Sequence, residues 1–268
     1  MADDELTADG DSLDENHRVS PDSHKETVMI IDTADLDPTS SYKLLIGSVL
    51  PRAIAWVSTR SVTGVGNIAP VSFFTVVGRF PPILSISLQP RSDGVTLKDT
   101  FVNIRDTNEF VVNITTIGQA DAVHRSAFEF DSGVDEFDAL GLERAPSEVI
   151  SAPRIAGAPI SFECVVDRII PMPPLPDHVV WGRVKRIHVR DDLYLSRGRI
   201  DVGALGVFGR LAAEYTLVDN IFTTPLPDDL VEELSVQRAG RLDGHSTDYS
   251  PIDTAEWSPS GSTKAETT

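Results

Sequence analysis

Three short stretches carry the side chains with which this sequence could do chemistry. In "NIAPVSFF", residues 67 to 74, Asn67 and Ser72 offer hydrogen-bonding groups to a ligand. Pro70 cannot donate to a β-ladder, so the segment belongs at an edge or bulge where its backbone can meet something else. The bland alternative is an ordinary packed hairpin with an awkward proline. In "LKDT", residues 97 to 100, a lysine charge and a threonine hydroxyl stand where a helix is expected to begin, which is an anion site. The same residues also suit a helix whose first turn is served by Asp99 while Lys98 is a solvated surface lysine. In "LPDHVVWGRV", His178 sits at the entrance of a strand, a place where a histidine needs no function. His124 and His188 read as surface or helix-face residues with no metal-ligand spacing. There is no Ser/His/Asp arrangement, metal cluster, Walker loop or strong acid/base pair. "GVGNIAP" contains G-x-G but lacks the third glycine and the helix of a dinucleotide fingerprint.

The elements that must position these residues are mostly strands. Short β-branched runs recur between turn residues: "LLIGSVLP", "AIAWVST", "VSFFTVV", "ILSISLQP", "EFVVNIT", "ISFECVVDRII" and "HVVWGRVKRIHV". Runs of this kind with polar or Gly/Pro connections predict an antiparallel barrel or sandwich rather than alternating βα units. Ala53, Ala55 and Val57 alternate with Ile54, Trp56 and Ser58, as in a strand buried on one or both faces. "RSVTGVG" supplies the following turn, with Gly64 or Gly66 at positive φ. Helices are few and short: "KDTFVNIRDT", with Asp99 as N-cap or first-turn acid, "QADAVHRSAF", and "GVDEFDALGL" closed by Gly141. One domain over residues 28 to 227 is expected. It is flanked by a disordered acidic tail, 1 to 27, and a polar, mostly flexible one, 228 to 268.

The chain has 268 residues, with 41 acidic and 23 basic side chains and a formal charge of -18. That charge argues against unaided binding to nucleic acid or an anionic membrane. A surface so rich in Asp and poor in Lys suits a high-salt, halophilic cytoplasm, where self-repulsion is screened. The lone Cys164 permits no intrachain disulfide, and its strand-like surroundings make it a small hydrophobe. The acidic N-terminus is the reverse of a signal peptide, and no apolar run reaches the ~20 residues that span a bilayer, so a cytoplasmic location is expected.

The order "YKLLIGSVLPRAIAWVST", "GVGNIAPVSFF", "PPILSISLQP", "KDTFVNI" resembles the flavin reductase-like family over roughly residues 42 to 227. The resemblance implies a mainly β, FMN-binding split β-barrel of antiparallel, Greek-key type with a few short helices, as in flavoredoxin-like proteins. It further implies that Trp56, Val57, Ser58 and Thr59 line one side of the flavin, with Asn67, Ala69, Pro70, Ser72, Phe73 and Phe74 around the ring or ribityl chain. Lys98 and Thr100 would hold the phosphate, helped by Ser58 or Thr59, with Arg52 and Arg91 as further cations; Asp99 would cap or orient. His178 matches a histidine near the nicotinamide of NADH or NADPH, although Pro176 stands where glycine is common. Arg210, Leu211 and Tyr215 match a segment whose two glycines are Ala212 and Ala213 here, which narrows the space beside it. Ala53 replaces a second proline, which relaxes φ without altering chemistry. The implied activity is an NAD(P)H-dependent flavin reductase, a homodimer that passes electrons to free flavin, oxygen, a monooxygenase or another acceptor. Two other readings stand beside it: an FMN electron-transfer protein with little NAD(P)H activity, and a nonredox binding protein on the same barrel.

Overall fold

The computed structural model describes residues 28–196 and 198–219. Seven strands form one sheet: β1 (Ala55–Arg60), β2 (Gly66–Val71), β3 (Phe74–Arg79), β4 (Pro82–Leu88), β5 (Glu109–Ile114), β6 (Ile160–Met172) and β7 (Asp177–Val189). Their spatial order is β2-β1-β5-β6-β7-β4-β3, with every pairing antiparallel. β2 and β3 are at opposite ends of that order, yet only Ser72 and Phe73 separate them in the chain. The three Cα steps from Val71 to Phe74 reach no more than about 11 Å, so the sheet must curl until its ends meet. The Ser87 N–H bonded to the Phe73 carbonyl at 2.9 Å carries the β3–β4 pairing back to the residue just before β3. β5 then returns by a long connection to lie beside β1, the Greek-key return. The expected antiparallel barrel is therefore the fold.

β1 explains why both faces of its segment are apolar. Ala55 and Val57 pack with Val71, Ile86, Phe110, Val112, Cys164 and Val180 in one core. Ile54 and Trp56 face a second core with Ile68, Val123, Phe137, Ile155 and Phe208. Cys164 is buried as the small hydrophobe expected, and burial pushes its thiol pKa well up, which removes it from nucleophilic chemistry. Gly182 on β7 marks a close approach: a Cβ there would lie 2.2 Å from Cζ of the fully buried Phe110. Gly64, at φ 96°, makes the β1–β2 turn.

The helices are α1 (Pro38–Ser48), α2 (Asp99–Thr107), α3 (Ala120–Arg125) and α4 (Glu136–Leu140). α3 follows a 3-10 turn over Ile117–Gln119, and α4 ends at Gly141 with φ 67°. The run "LLIGSVLP", expected as a strand, is instead largely the end of α1. Pro38 suits a first helical position, and Asp37 Oδ1 accepts from the Thr39 and Ser40 N–H groups at 2.8 and 3.0 Å, so the start signal lay upstream of the apolar run. Asp99 is a first-turn residue; the N-cap position belongs to Lys98, which makes no side-chain cap. Residues 28–42 group as one unit and those from 43 onward as another. In the first, Asp32 caps a 3-10 turn over Thr33–Asp35. The expected tails, and residues 220–227 of the expected domain, lie outside the described residues. No helix among the described residues is long and apolar enough to cross a membrane.

Candidate functional site

The outer edge of β2 is where the sheet meets its helices. β2 pairs only with β1 in the ladder, and the N–H groups of Gly66 and Ile68 point away from β1. Antiparallel alternation directs the backbone of residue 70 the same way, and there proline leaves no N–H to satisfy. The outward N–H groups are claimed by α4. Asp135 Oδ2 accepts from Gly66 at 2.8 Å, and Glu136 Oε2 accepts from Ile68 at 2.9 Å. Gly66 is required here, since a Cβ would lie 2.9 Å from the Phe137 ring.

Beside this edge runs a cleft of about 500 Å³, counting the solvent at its mouth. One wall is Asn67–Pro70 of β2 with Glu136. The second is Arg91 and the first turn of α2, Lys98 to Thr100. The third is the segment Ser126–Phe130 after α3. The second and third walls are tied together. Arg91 pairs with Asp99 at 2.7 Å and donates to the Phe130 carbonyl at 2.9 Å, and Ser132 donates to the other Asp99 oxygen at 2.8 Å. The Ser92 N–H and hydroxyl both donate to Glu129. The first N–H groups of an α-helix lack intrahelical partners, and no side chain caps α2, so the cleft meets an uncapped helix start with a lysine beside it.

Beneath the cleft is a closed polar network. Asn67 donates through Nδ2 to Glu136 Oε1 at 2.8 Å and accepts at Oδ1 from the hydroxyls of Thr59 at 3.1 Å and Thr100 at 2.8 Å; Asn103 donates to Thr59 at 2.9 Å. Glu136 is buried, and burial pushes its carboxyl pKa up to about 7. The Ile68 and Asn67 donors oppose that rise, the Asp99 charge adds to it, and Arg91 opposes it.

Of the residues that the sequence suggests, the structure brings Asn67, Ala69, Pro70, Arg91, Lys98 and Thr100 together around this cleft. The β1 residues sit behind it: Trp56 donates to the Ser126 hydroxyl at 2.8 Å, Ser58 donates to the Pro153 carbonyl at 2.6 Å, Thr59 joins the Asn67 network, and Val57 is core. Another group gathers at the far end of β2. Arg52 is buried, with its guanidinium donating to the carbonyls of Ile46 at 2.5 Å and Leu211 at 2.6 Å and near the Ser72 hydroxyl at 3.4 Å; its backbone bridges Arg210. Arg210 lies over the Tyr215 ring at 4.6 Å. Phe73 is half-buried at the seam, and Phe74 packs on the first core. His178 stacks on Phe101 with ring centroids 4.0 Å apart, and its Nδ1 lies 3.0 Å from the Pro176 carbonyl. That ring is one residue along α2 from Thr100, outside the cleft lining.

Sequence reasoning did not single out Glu136, Glu129 or Ser126. The only local sign of Glu136 is the acidic pair Asp135–Glu136 opening a short helix, which by itself says nothing about a partner 68 residues away.

Several solved structures resemble the chain, three of them as follows. Nitrilotriacetate monooxygenase component B from Bacillus cereus is 34% identical, with a TM-score of 0.70 over 74% of this chain and 98% of that one. The 2-nitrobenzoate 2-nitroreductase of Pseudomonas fluorescens is 29% identical, with a TM-score of 0.67 over 75% and 97%. A protein with a split barrel domain from Shewanella frigidimarina is 18% identical, with a TM-score of 0.64 over 75% and 100%, and shares the fold. Residues 46–203, which hold all seven strands of the sheet as well as every wall of the cleft, match the flavin reductase like domain, and the chain belongs to that family, on a split β-barrel.

Proposed function

We propose that the protein is an FMN-binding oxidoreductase that takes hydride from NADH or NADPH and passes electrons to free flavin, oxygen or a protein acceptor. The observation that carries this reading is the cleft itself, where a proline-interrupted strand edge faces an uncapped helix start flanked by Lys98. The donor set fits the cofactor. Helix N–H groups and an ammonium suit a phosphate monoester, and a flat backbone edge at Ala69 and Pro70 suits a ring with polar rims. FMN, when bound, supplies hydride acceptance and electron release; the protein supplies placement and exclusion of water.

On this reading Lys98 neutralises the phosphate, Asp99 is held off it by Arg91 and Ser132, and Thr59 and Thr100 fix Asn67 so that the β2 edge keeps its shape. His178 would contact the nicotinamide from the Phe101 side of α2. The monooxygenase component named among the similar structures supports a separate oxygenase as recipient of electrons. We further propose a homodimer acting in the cytoplasm, with an acidic surface suited to high salt. Because His178 is folded onto Phe101 and the Pro176 carbonyl rather than into the cleft, a second reading also stands: an FMN electron carrier with little NAD(P)H activity.

Visible absorption of the purified protein, with and without added FMN, tests both. A colourless protein that takes up no FMN would refute them. Anaerobic mixing with NADH and NADPH then separates the two, since the reductase predicts bleaching of bound flavin and the carrier predicts none.

A further inference from the structure

The acidic groups around the cleft are not alike in their partners. Asp99, on α2, pairs with Arg91. Glu129, on the wall after α3, accepts from the Ser92 N–H and hydroxyl. Asp135 and Asp138, on the same element as Glu136, both pair with Arg144, at 2.5 and 2.8 Å. Glu136 alone among these four neighbours and itself is buried, and both of its oxygens are met by neutral donors, the Ile68 N–H and the Asn67 amide. Lys98, on the opposite wall, has no ion-pair partner among the described residues.

We propose that Glu136 is the residue that positions the ligand-binding edge of β2, and that it takes up one proton when a phosphate monoester enters the cleft beside Lys98. The inference rests on the FMN reading above and deepens it. Two negative groups in one partly buried site cannot both stay ionised cheaply, so the entering phosphate raises the proton affinity of the carboxylate that shares its cleft. The proton comes from solvent and settles on a carboxyl oxygen of Glu136. A protonated carboxyl still accepts hydrogen bonds and gains one O–H donor. It therefore keeps hold of the β2 edge, sheds its repulsion toward the phosphate, and can donate into the cleft. The starting point is favourable, because burial already brings the empty site's carboxyl to about 7, so little further rise is needed near neutral pH. Arg91, the other cation on the cleft, is occupied by Asp99 and the Phe130 carbonyl, which leaves the compensation to Lys98 and this proton.

The test is isothermal titration of the full chain with FMN and, separately, with riboflavin, which lacks the phosphate. It is run at pH 7.5 in buffers of different ionisation enthalpy, on the wild type and on Glu136→Gln. At that pH the phosphate is already almost wholly dianionic and releases few protons of its own. The wild type is expected to take up about half a proton with FMN and close to none with riboflavin, and its FMN affinity should fall several-fold between pH 7 and 8.5. Glu136→Gln should bind FMN without the uptake and with a flatter pH profile. Equal uptake with both flavins in the wild type overturns the proposal while the flavin reading stands, and that comparison needs no variant. Equal uptake in wild type and Glu136→Gln overturns it likewise. Binding of neither flavin overturns both.

Discussion

Glu136 and Glu163 are the buried carboxylates of the described residues, and they are held in opposite ways. Glu163, on β6, accepts from the N–H groups of Glu148 and Val149, each at 2.8 Å, and lies 2.5 Å from His188 Nε2 on β7. Burial works against its charge, but those two N–H groups and the His188 ring hold its pKa below the ordinary glutamate value. Glu136, at the cleft, is met only by neutral donors from β2 and lies near Asp99, and burial brings its carboxyl up to about 7. The first arrangement is a permanent clip that fastens the 146–153 loop to the sheet. The second holds its edge while leaving its charge adjustable. The difference lies in which influence prevails: desolvation at Glu136, the N–H and His188 donors at Glu163.

Glu163→Ala should break the clip. It strands two backbone N–H groups and a histidine, and a loss of about 3–5 kcal/mol in urea unfolding is expected, with FMN affinity of the folded fraction unchanged. Next comes the pH dependence of stability. A carboxyl that is near 7 when folded and 4.5 when unfolded holds more protons in the native state, so stability falls as pH rises through that window, on the order of 3 kcal/mol in all. Glu136→Gln should remove that slope. Glu163 behaves with the other sign: its contribution is present above the ordinary glutamate range and is lost as pH drops below it. Unfolding curves that show the same pH trend for both variants would dissolve the comparison. Lys98→Ala should weaken FMN binding at least tenfold, about 1.4 kcal/mol, while leaving the unfolding midpoint nearly unmoved. Unchanged affinity would take Lys98 out of the site. The smallest effect is expected of His188→Gln, whose amide can still donate to Glu163; about 1 kcal/mol of stability should go, and flavin binding should stay.

What the sequence made legible follows from how local each signal is. Pro70 announces an edge strand because the missing N–H is a property of one residue, and β2 is an edge. The start of α2 was legible from the acid and apolar spacing in "KDTFVNIRDT". The strands β1 and β3 to β7 were visible as β-branched runs. The strand expected at "LLIGSVLP" was misplaced because its apolar run has no period to distinguish helix from strand, whereas the deciding Asp37 and Pro38 stood just before it. His188, expected at the surface, lies on a buried acid that is adjacent only through β6–β7 pairing. Nothing in one dimension pairs Glu136 with Ile68, or separates Arg52 from Lys98 by putting carbonyls around the one and a cleft beside the other. Partners that only the barrel brings together are invisible until it closes.

The two-residue passage from β2 to β3 has a consequence for how the barrel responds to load. The strand that lines the cleft is spliced directly to the strand at the other end of the sheet, so a ligand that stiffens Asn67–Pro70 also stiffens the seam. Amide hydrogen exchange should then slow along Phe74–Arg79 as well as at the cleft when flavin is added, although no residue of β3 lines the pocket.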